Sequence, residues 1–499
     1  MRAARLVWLA MAFVGGSSLA TKVTAQPVPA RTLVEQAATA MGGLERLRGI
    51  DNFVLTGFGM YVNQQGGSAL SPDPHAPLKM QLATDAERVF DLKNGRAVSR
   101  DRRASTFPFA IERPLDRASR LETGAALLDH PLPAVLAALD PKTRLGPVHT
   151  EDGLNVVEFT TEQGDTRWLA LDPVTKLPAW VRWIGPSTTL GDIVNTAHFT
   201  GYLPFDDVWL PVGLTATIDW RDLTLASFDV DSYRLNVKNL EPFPAPRPPS
   251  TQERHATAKK LADHVWDVRV DASEDGGAVI EFADHLTMFE AYNNEADTFA
   301  RIDLANTLVP GKKVTQLIVT HHHFDHSGGL RAAVSRGLTV IARRGNEAIF
   351  REMVARPAPN FPDALARNPQ PLKFVPVDEH LVLEDSTMRV DVYHAVGHLH
   401  MAEAVVGYIP SLKIFMEGDF TTYNWDWNWW AGAYMDTVDR YHLDPAVNVP
   451  VHGKVTSFKE TIATLEKQVV NARAYCTKQF KAGVYPPGCP VQYSRDRRN

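Results

Sequence analysis

Two rhythms of hydrophobic and polar positions divide the chain. From Asn52 to about Asn239 the apolar stretches are short and often alternate with polar residues. "NFVLTGFGMYV", "LNVVEFTTE", "TRWLALD", "PAWVRWIG" and "LTATIDW" are rich in β-branched and aromatic residues and bounded by Gly, Pro, Asp or Asn. That is the pattern of strands joined by turns, and "DPVTKLP" and "GPST" are turn sequences. A mostly antiparallel β domain is predicted here, preceded by a short helix over Arg31 to Leu47 with a glycine pair near its end.

"LEPFPAPRPPSTQE", Leu240 to Glu253, is proline-dense and polar and reads as a linker. Beyond it the rhythm changes. "GAVIEFADHLTMFEAY" predicts two adjacent strands, "VTQLIVT" a buried strand, "GGLRAAVSRG" a helix, "LTVIAR" a strand and "GNEAIFREMVAR" a helix. "MRVDVYHAV", "AEAVVGYIP" and "LKIFMEGD" add three strands, and a long helix runs from Ser457 to about Lys481. Strands interleaved with helices predict a layered α/β arrangement. The expected division is a leader over 1–25, a β-rich domain over 27–239, a linker over 240–255, a second domain over 256–482 and a tail over 483–499.

Length and composition fit this picture. With 499 residues, 44% of them hydrophobic, the chain can build two cores without disulfide support. A formal charge of −6 argues against a nucleic-acid partner, which a basic surface would favour. The opening "MRAARLVWLAMAFVGGSSLATKVTAQP" has Arg2 and Arg5 before an apolar stretch, Leu6 to Val14, and "VTA" before Gln26. This is the form of an export signal, so a periplasmic or secreted protein is expected, with no integral membrane span once the signal is removed. Cys476 and Cys489 either form one bridge closing a short loop or remain free thiols. Two cysteines are too few for an all-thiolate zinc site.

The chemistry concentrates in "VTHHHFDHSGG", Val319 to Gly329. An apolar strand delivers His321 and His323, two residues apart, and then Asp325 and His326, before Ser327, Gly328 and Gly329 turn the chain into a helix. One turn can therefore present two ligand pairs to two adjacent sites, with His322 and Phe324 pointing elsewhere. Imidazole and carboxylate without thiolate suit zinc, and also iron or manganese.

The stretch resembles the metal-binding signature of the metallo-β-lactamase-fold hydrolases. That resemblance implies an α+β two-domain chain whose second domain is a four-layer αββα sandwich with two metal ions at one edge. It also implies three further ligands downstream: a histidine, a bridging aspartate and a last histidine. The first falls in "HAVGHLHMAEAVVGYIP", where the family's histidine precedes an aromatic-apolar-Pro turn by eight residues. Counting back from Tyr408 gives His400, while His398, which follows Gly397, stays as the alternative. Asp419, ending "LKIFMEGD", and His452, in "VNVPVHGK", complete the set. His321, His323 and His400 would hold one zinc ion and Asp325, His326 and His452 the other, with Asp419 between.

The implied function is a dinuclear zinc-dependent hydrolase acting through a metal-bound hydroxide on an ester, lactone, thioester, amide or phosphate bond. Asp325 takes a catalytic part, orienting the nucleophile or passing a proton. Alternatives on the same scaffold are an iron-dependent redox enzyme, or an envelope ligand-binding protein with a vestigial metal site. "TTYNWDWNWWAGAY", with Trp425, Trp427, Trp429 and Trp430 after Asp419, offers a wall for an apolar or aromatic small-molecule substrate. The first domain resembles, in its helix-then-strands pattern, the half-barrels of periplasmic lipoprotein carriers.

Overall fold

The computed structural model describes residues 28–62, 69–107, 117–246, 254–270, 275–421, 428–486 and 489. The expected leader, Tyr423, Trp425 and Trp427 lie outside these residues.

The alternating segments of the first half build one eleven-stranded sheet, antiparallel throughout. Its last strand, Leu223–Leu235, returns to pair with the first, Asn52–Val62. Helices Ala30–Ala40 and Pro131–Leu139 fill one face, burying Leu33, Val34, Leu132 and Val135 against Phe53, Phe90, Phe159 and Val181. The helix expected over Arg31 to Leu47 is in fact two, Ala30–Ala40 and Leu44–Arg48. Gly42 and Gly43 break it with φ of +125° and +99°, and a Cβ on Gly42 would meet the Asp207 carbonyl at 2.6 Å. The proline-dense segment begins as a fastened strap. Val237, Leu240 and Phe243 pack on Val54, Val89 and Val98, and the buried Arg100 donates to the carbonyls of Glu241 and Pro242.

The second half is a sandwich of two sheets. Seven strands run in chain order from Ala256–Ala262 to Lys373–Val377, antiparallel at first and parallel over the last four. Six follow, also in chain order, from His380–Glu384 to Thr456–Ser457. Ile280, Phe289, Ile318 and Ile341 of one sheet meet Val390, Val405, Met416 and Val449 of the other in a shared core. Helices Glu295–Leu308, Leu330–Ser335 and Glu347–Ala355 cover the outer face of the first sheet. Helices Ala431–Arg440 and Phe458–Lys481 cover that of the second. The result is four layers, αββα, each sheet buried on both sides. Cys476 and Cys489 are disulfide-bonded and tie the last helix to the residues after it.

The two domains share an apolar seam. Leu190, Ile218, Trp220 and Leu223 of the first domain join the core under the helices of the second. Around it, Arg221 grips the Glu352 carboxylate with bonds of 2.8 and 2.7 Å, and the Trp220 indole donates to the same group at 3.0 Å. Arg356 donates to the Leu190 and Asp192 carbonyls and to Asp219. The Asp192 carboxylate caps the Asn360 and Phe361 amides.

Candidate metal centre

Every candidate ligand stands at the carboxyl end of a strand or in the loop beyond one. Strand Val314–Ile318 lies between two parallel neighbours, Leu286–Phe289 and Thr339–Arg343, and releases the chain into the histidine turn. His323 caps the short helix Phe324–Ser327, which carries Asp325 and His326. Two glycines let this turn press against the loop at Ala291–Asn293. A Cβ on Gly328 would lie 2.2 Å from the Asn293 carbonyl, and one on Gly329 only 1.7 Å from the Thr298 hydroxyl. Asp419 follows strand Ile414–Glu417 with a left-handed φ of +63°. That conformation costs a non-glycine residue about 1–3 kcal/mol and tends to persist where function needs it. His400 comes from the loop between strands Arg389–His394 and Val405–Ile409, and His452 from the end of Val447–Pro450.

The side chains converge on Asp419. Its Oδ2 is 2.8 Å from His400 Nε2 and 3.6 Å from His321 Nε2. Its Oδ1 is 3.1 Å from His326 Nε2 and 3.0 Å from His452 Nε2. Asp325 Oδ2 lies 3.6 Å from His452 Nε2 and 3.8 Å from His326 Nε2. Two groups result, His321-His323-His400-Asp419 and Asp325-His326-Asp419-His452, each offering one ligand atom per residue within 4.8 Å of the others. One carboxylate oxygen faces each group, as a carboxylate bridging two cations would require.

The outer hydrogen bonds fix which nitrogen each ring presents. His326 Nδ1 donates to Glu290 at 3.0 Å, and His452 Nδ1 to Asp275 at 2.6 Å, so both Nε2 atoms face the cluster. Thr320 gives its hydroxyl proton to Glu290 at 2.5 Å and accepts from His321 Nδ1 at 3.0 Å, again freeing Nε2. His323 is turned the other way: its Nε2 donates to the Ala69 carbonyl at 3.0 Å, which leaves Nδ1 inward. His321 Nε2, His323 Nδ1 and Asp325 Oδ1 are buried and have no hydrogen-bond partner among the described residues. Buried polar atoms without partners are costly, and these three are the atoms that a metal ion would take. The donor set therefore fits a divalent metal site.

Charge follows the same division. Burial holds His321 and His323 neutral, well below the usual imidazole range. Burial also opposes charge on His326, but Asp419, Asp325 and Glu290 outweigh it and push the ring up to about 10. His452 is raised well above its ordinary value by Asp419, Asp275 and Asp325 against the same burial. The carboxylates thus gather positive charge on this side, and the protons on His326 and His452 are what a bound cation displaces.

Several residues lie away from the convergence. His398 sits behind His400: its Nδ1 accepts from the His400 amide at 3.3 Å and its ring meets the edge of Phe420. His322 points to the domain seam, where its Nε2 donates to Ala69 at 3.2 Å. Trp430 stacks on His400 with centroids 4.7 Å apart, and its indole donates to the Asp419 carbonyl at 2.6 Å. Trp429 instead meets Tyr475 of the last helix edge-on. A cavity of about 290 Å³ at the seam is bordered by His322 and Phe324 but by none of the seven candidate ligands.

Sequence reading missed Asp275, Glu290, Thr320 and the Ala69 carbonyl. Glu290 does follow the apolar strand Leu286–Phe289 directly, the same signal that marks Thr320. Asp275 reaches His452 only through an isolated bridge between the two residues, which no spacing announces.

Four layers with a histidine and carboxylate cluster at the carboxyl ends of the strands define a metal-site domain of a hydrolase fold. Residues 279–449 match the family model of the metallo-beta-lactamase superfamily, and the carboxy-terminal domain has the metallo-β-lactamase fold. Among solved structures, a metallo-beta-lactamase from Pontibacter korlensis is 18% identical, covering 43% of this chain and 99% of its own, with a TM-score of 0.34. One from Hirschia baltica is also 18% identical, covering 42% and 96%, with a TM-score of 0.32. No curated protein matches this chain.

Proposed function

We propose that the protein is an exported hydrolase that holds two zinc ions, one in each ligand group. The observation that carries this reading is the shared Asp419, with one oxygen turned to each group. Zinc ions held there would lower the pKa of a bound water toward neutrality and polarise the substrate oxygen. The chain's own residues supply the rest. Glu290, Thr320, Asp275 and Ala69 hold the ring tautomers. With Asp325 Oδ1 left for the metal, the other oxygen of the same carboxylate, Oδ2, would orient the attacking water and accept its proton. Trp430, itself buried, excludes solvent beside His400 and holds the Asp419 carbonyl through its indole.

Export is supported by the basic-then-apolar opening of the chain and by the Cys476–Cys489 bridge, which an oxidising compartment favours. The test is metal analysis of protein purified without added metal, followed by assay on lactone, thioester, phosphoester and β-lactam substrates. Zinc near two equivalents with chelator-sensitive turnover supports the reading. Coloured, iron-loaded protein without hydrolysis would redirect it to redox chemistry, and turnover indifferent to chelation would remove the metal from the mechanism.

A further inference from the structure

The turn that carries Asp419 is held from behind by a buried carboxylate. Glu417, at the end of strand Ile414–Glu417, is fully buried. Its Oε2 accepts from the Phe420 amide at 2.9 Å. Its Oε1 accepts from the Thr421 hydroxyl at 2.5 Å and from the Asn448 side-chain amide at 3.1 Å. Asn448 stands on strand Val447–Pro450, and the Glu417 carbonyl accepts from the Val451 amide at 2.9 Å, just before His452. One residue thus ties the strand that leads to Asp419 to the strand that leads to His452. On the other side, the Trp430 indole donates to the Asp419 carbonyl at 2.6 Å while its ring stacks on His400. Asn428 keeps that tryptophan in register, accepting from the Trp430 amide at 2.9 Å and donating to the Phe420 carbonyl at 3.0 Å.

The Asp419 carbonyl and the Phe420 amide belong to one peptide group, which is planar and rigid. Trp430 grips one edge of that plane and Glu417 the other. The plane's orientation sets ψ of Asp419, whose φ of +63° lies in the left-handed region. A non-glycine residue persists there only where its surroundings hold it. With the plane held, the side chain leaves the backbone in one direction. That direction puts Oδ2 2.8 Å from His400 Nε2 and Oδ1 3.0 Å from His452 Nε2. We propose that Glu417 and Trp430 are positioning residues of the metal centre: they clamp the peptide after Asp419 and thereby decide how its carboxylate is shared between two ions. The inference rests on the two-ion reading above and goes beyond it by assigning the division of the carboxylate to residues outside both ligand groups. A peptide freed at either edge lets the Asp419 backbone relax and its carboxylate turn to one group, so the other group loses its ion first.

The experiment uses the full chain, stripped with chelator and reloaded. Stepwise zinc affinities are measured by competition with a chromophoric chelator, and electron paramagnetic resonance is recorded on protein loaded with cobalt(II). Trp430→Phe keeps a ring over His400 but has no N–H to donate. Glu417→Gln keeps the shape but puts a donor group where the carboxylate only accepts. A shared carboxylate couples two cobalt ions magnetically, so the fully loaded native protein should give less signal than two independent ions. Each variant should bind the second zinc about tenfold or more weakly than native protein, with the first affinity changed less, and its cobalt signal should rise toward that of independent ions. A clamp that serves only stability would lower the melting temperature and leave the stepwise affinities and the cobalt signal native. That result in Trp430→Phe, or in folded Glu417→Gln, overturns the inference, and Trp430→Phe decides the matter should Glu417→Gln not fold. Native protein that takes up fewer than two ions ends the two-ion reading and this inference with it, whereas two bound ions without turnover end only the hydrolase reading.

Discussion

His323 Nε2 lies 3.0 Å from the carbonyl oxygen of Ala69, 254 residues earlier in the chain and in the other domain. A backbone carbonyl can only accept, so the bond leaves the His323 Nδ1 lone pair facing the cluster. The orientation of a candidate metal ligand therefore depends on how the two domains dock.

Loosening the seam should loosen the metal. Arg221→Ala combined with Glu352→Gln removes the clamp around Trp220 without touching a candidate ligand. Zinc affinity should fall about tenfold, as for lost outer-shell partners, and the visible absorption of cobalt-substituted protein should change. Unaltered affinity and spectrum would show that the Ala69 segment holds His323 without help from the seam.

The outer carboxylates should matter nearly as much as the ligands. Asp275→Ala and Glu290→Gln are each expected to weaken zinc binding by about 10–100-fold. Glu290→Gln should be the more damaging, since Glu290 is fully buried and serves both Thr320 and His326. Chelator competition measures both, and native affinity in either variant contradicts the assigned tautomers.

Direct removal of a ligand sets the scale. His323→Ala should lose bound zinc and roughly tenfold or more of chelator-sensitive turnover. The loss should not be restored by a zinc excess that fully reactivates chelator-stripped native protein. Reactivation of the variant to native turnover would take His323 out of the ligand set.

The histidine turn is close-packed as well as chemical. Gly329→Ala would place a methyl 1.7 Å from the Thr298 hydroxyl and 2.2 Å from the Ala291 carbonyl. Overpacking of this kind costs about 1–3 kcal/mol, read as a lower melting temperature together with weaker zinc binding. A melting curve indistinguishable from native would mean that the turn can withdraw from the Ala291–Asn293 loop.

The first domain has its own pH limit. His130 is buried between Phe53, Phe90 and Tyr233, and burial, with Arg88 nearby, lowers its pKa well below the ordinary value. The native ring stays neutral while the unfolded chain takes up a proton below about pH 6.5. The unfolded state then binds more protons, so stability falls with pH below that point, by up to about 1.4 kcal/mol per pH unit, and this term is flat above it. Denaturant titrations of native protein and His130→Phe between pH 5 and 8 test the sign. Equal slopes in the two proteins would remove His130 as the source.

Much of this architecture is written locally. Alternation at the start of Thr166–Leu171 follows the two-residue period of a half-buried strand, and "VTQLIV" reads as a strand covered on both faces. The spacing of His321, His323, Asp325 and His326 is likewise a local fact, because one turn positions all four. Asp419 and His452 could be named because apolar strands end at them. Between His398 and His400, counting back from the Tyr408 turn favoured His400, but only through the spacing of the family that the sequence resembles. Both sit in one irregular loop, and contact with the Asp419 carboxylate is what sets His400 apart.

By itself, then, the sequence determined the order of strands and helices, the boundary between two hydrophobic rhythms and the ligand-rich turn, because each rests on periodicity or on neighbours within a few residues. Tertiary structure alone decided which ring nitrogens face inward, that Asp275 and Glu290 stand behind the histidines, and that the Ala69 carbonyl of one domain meets the candidate metal ligands of the other. Those relationships join residues up to 254 positions apart. They arise from how strand ends and domain faces pack, and linear spacing carries no trace of that packing.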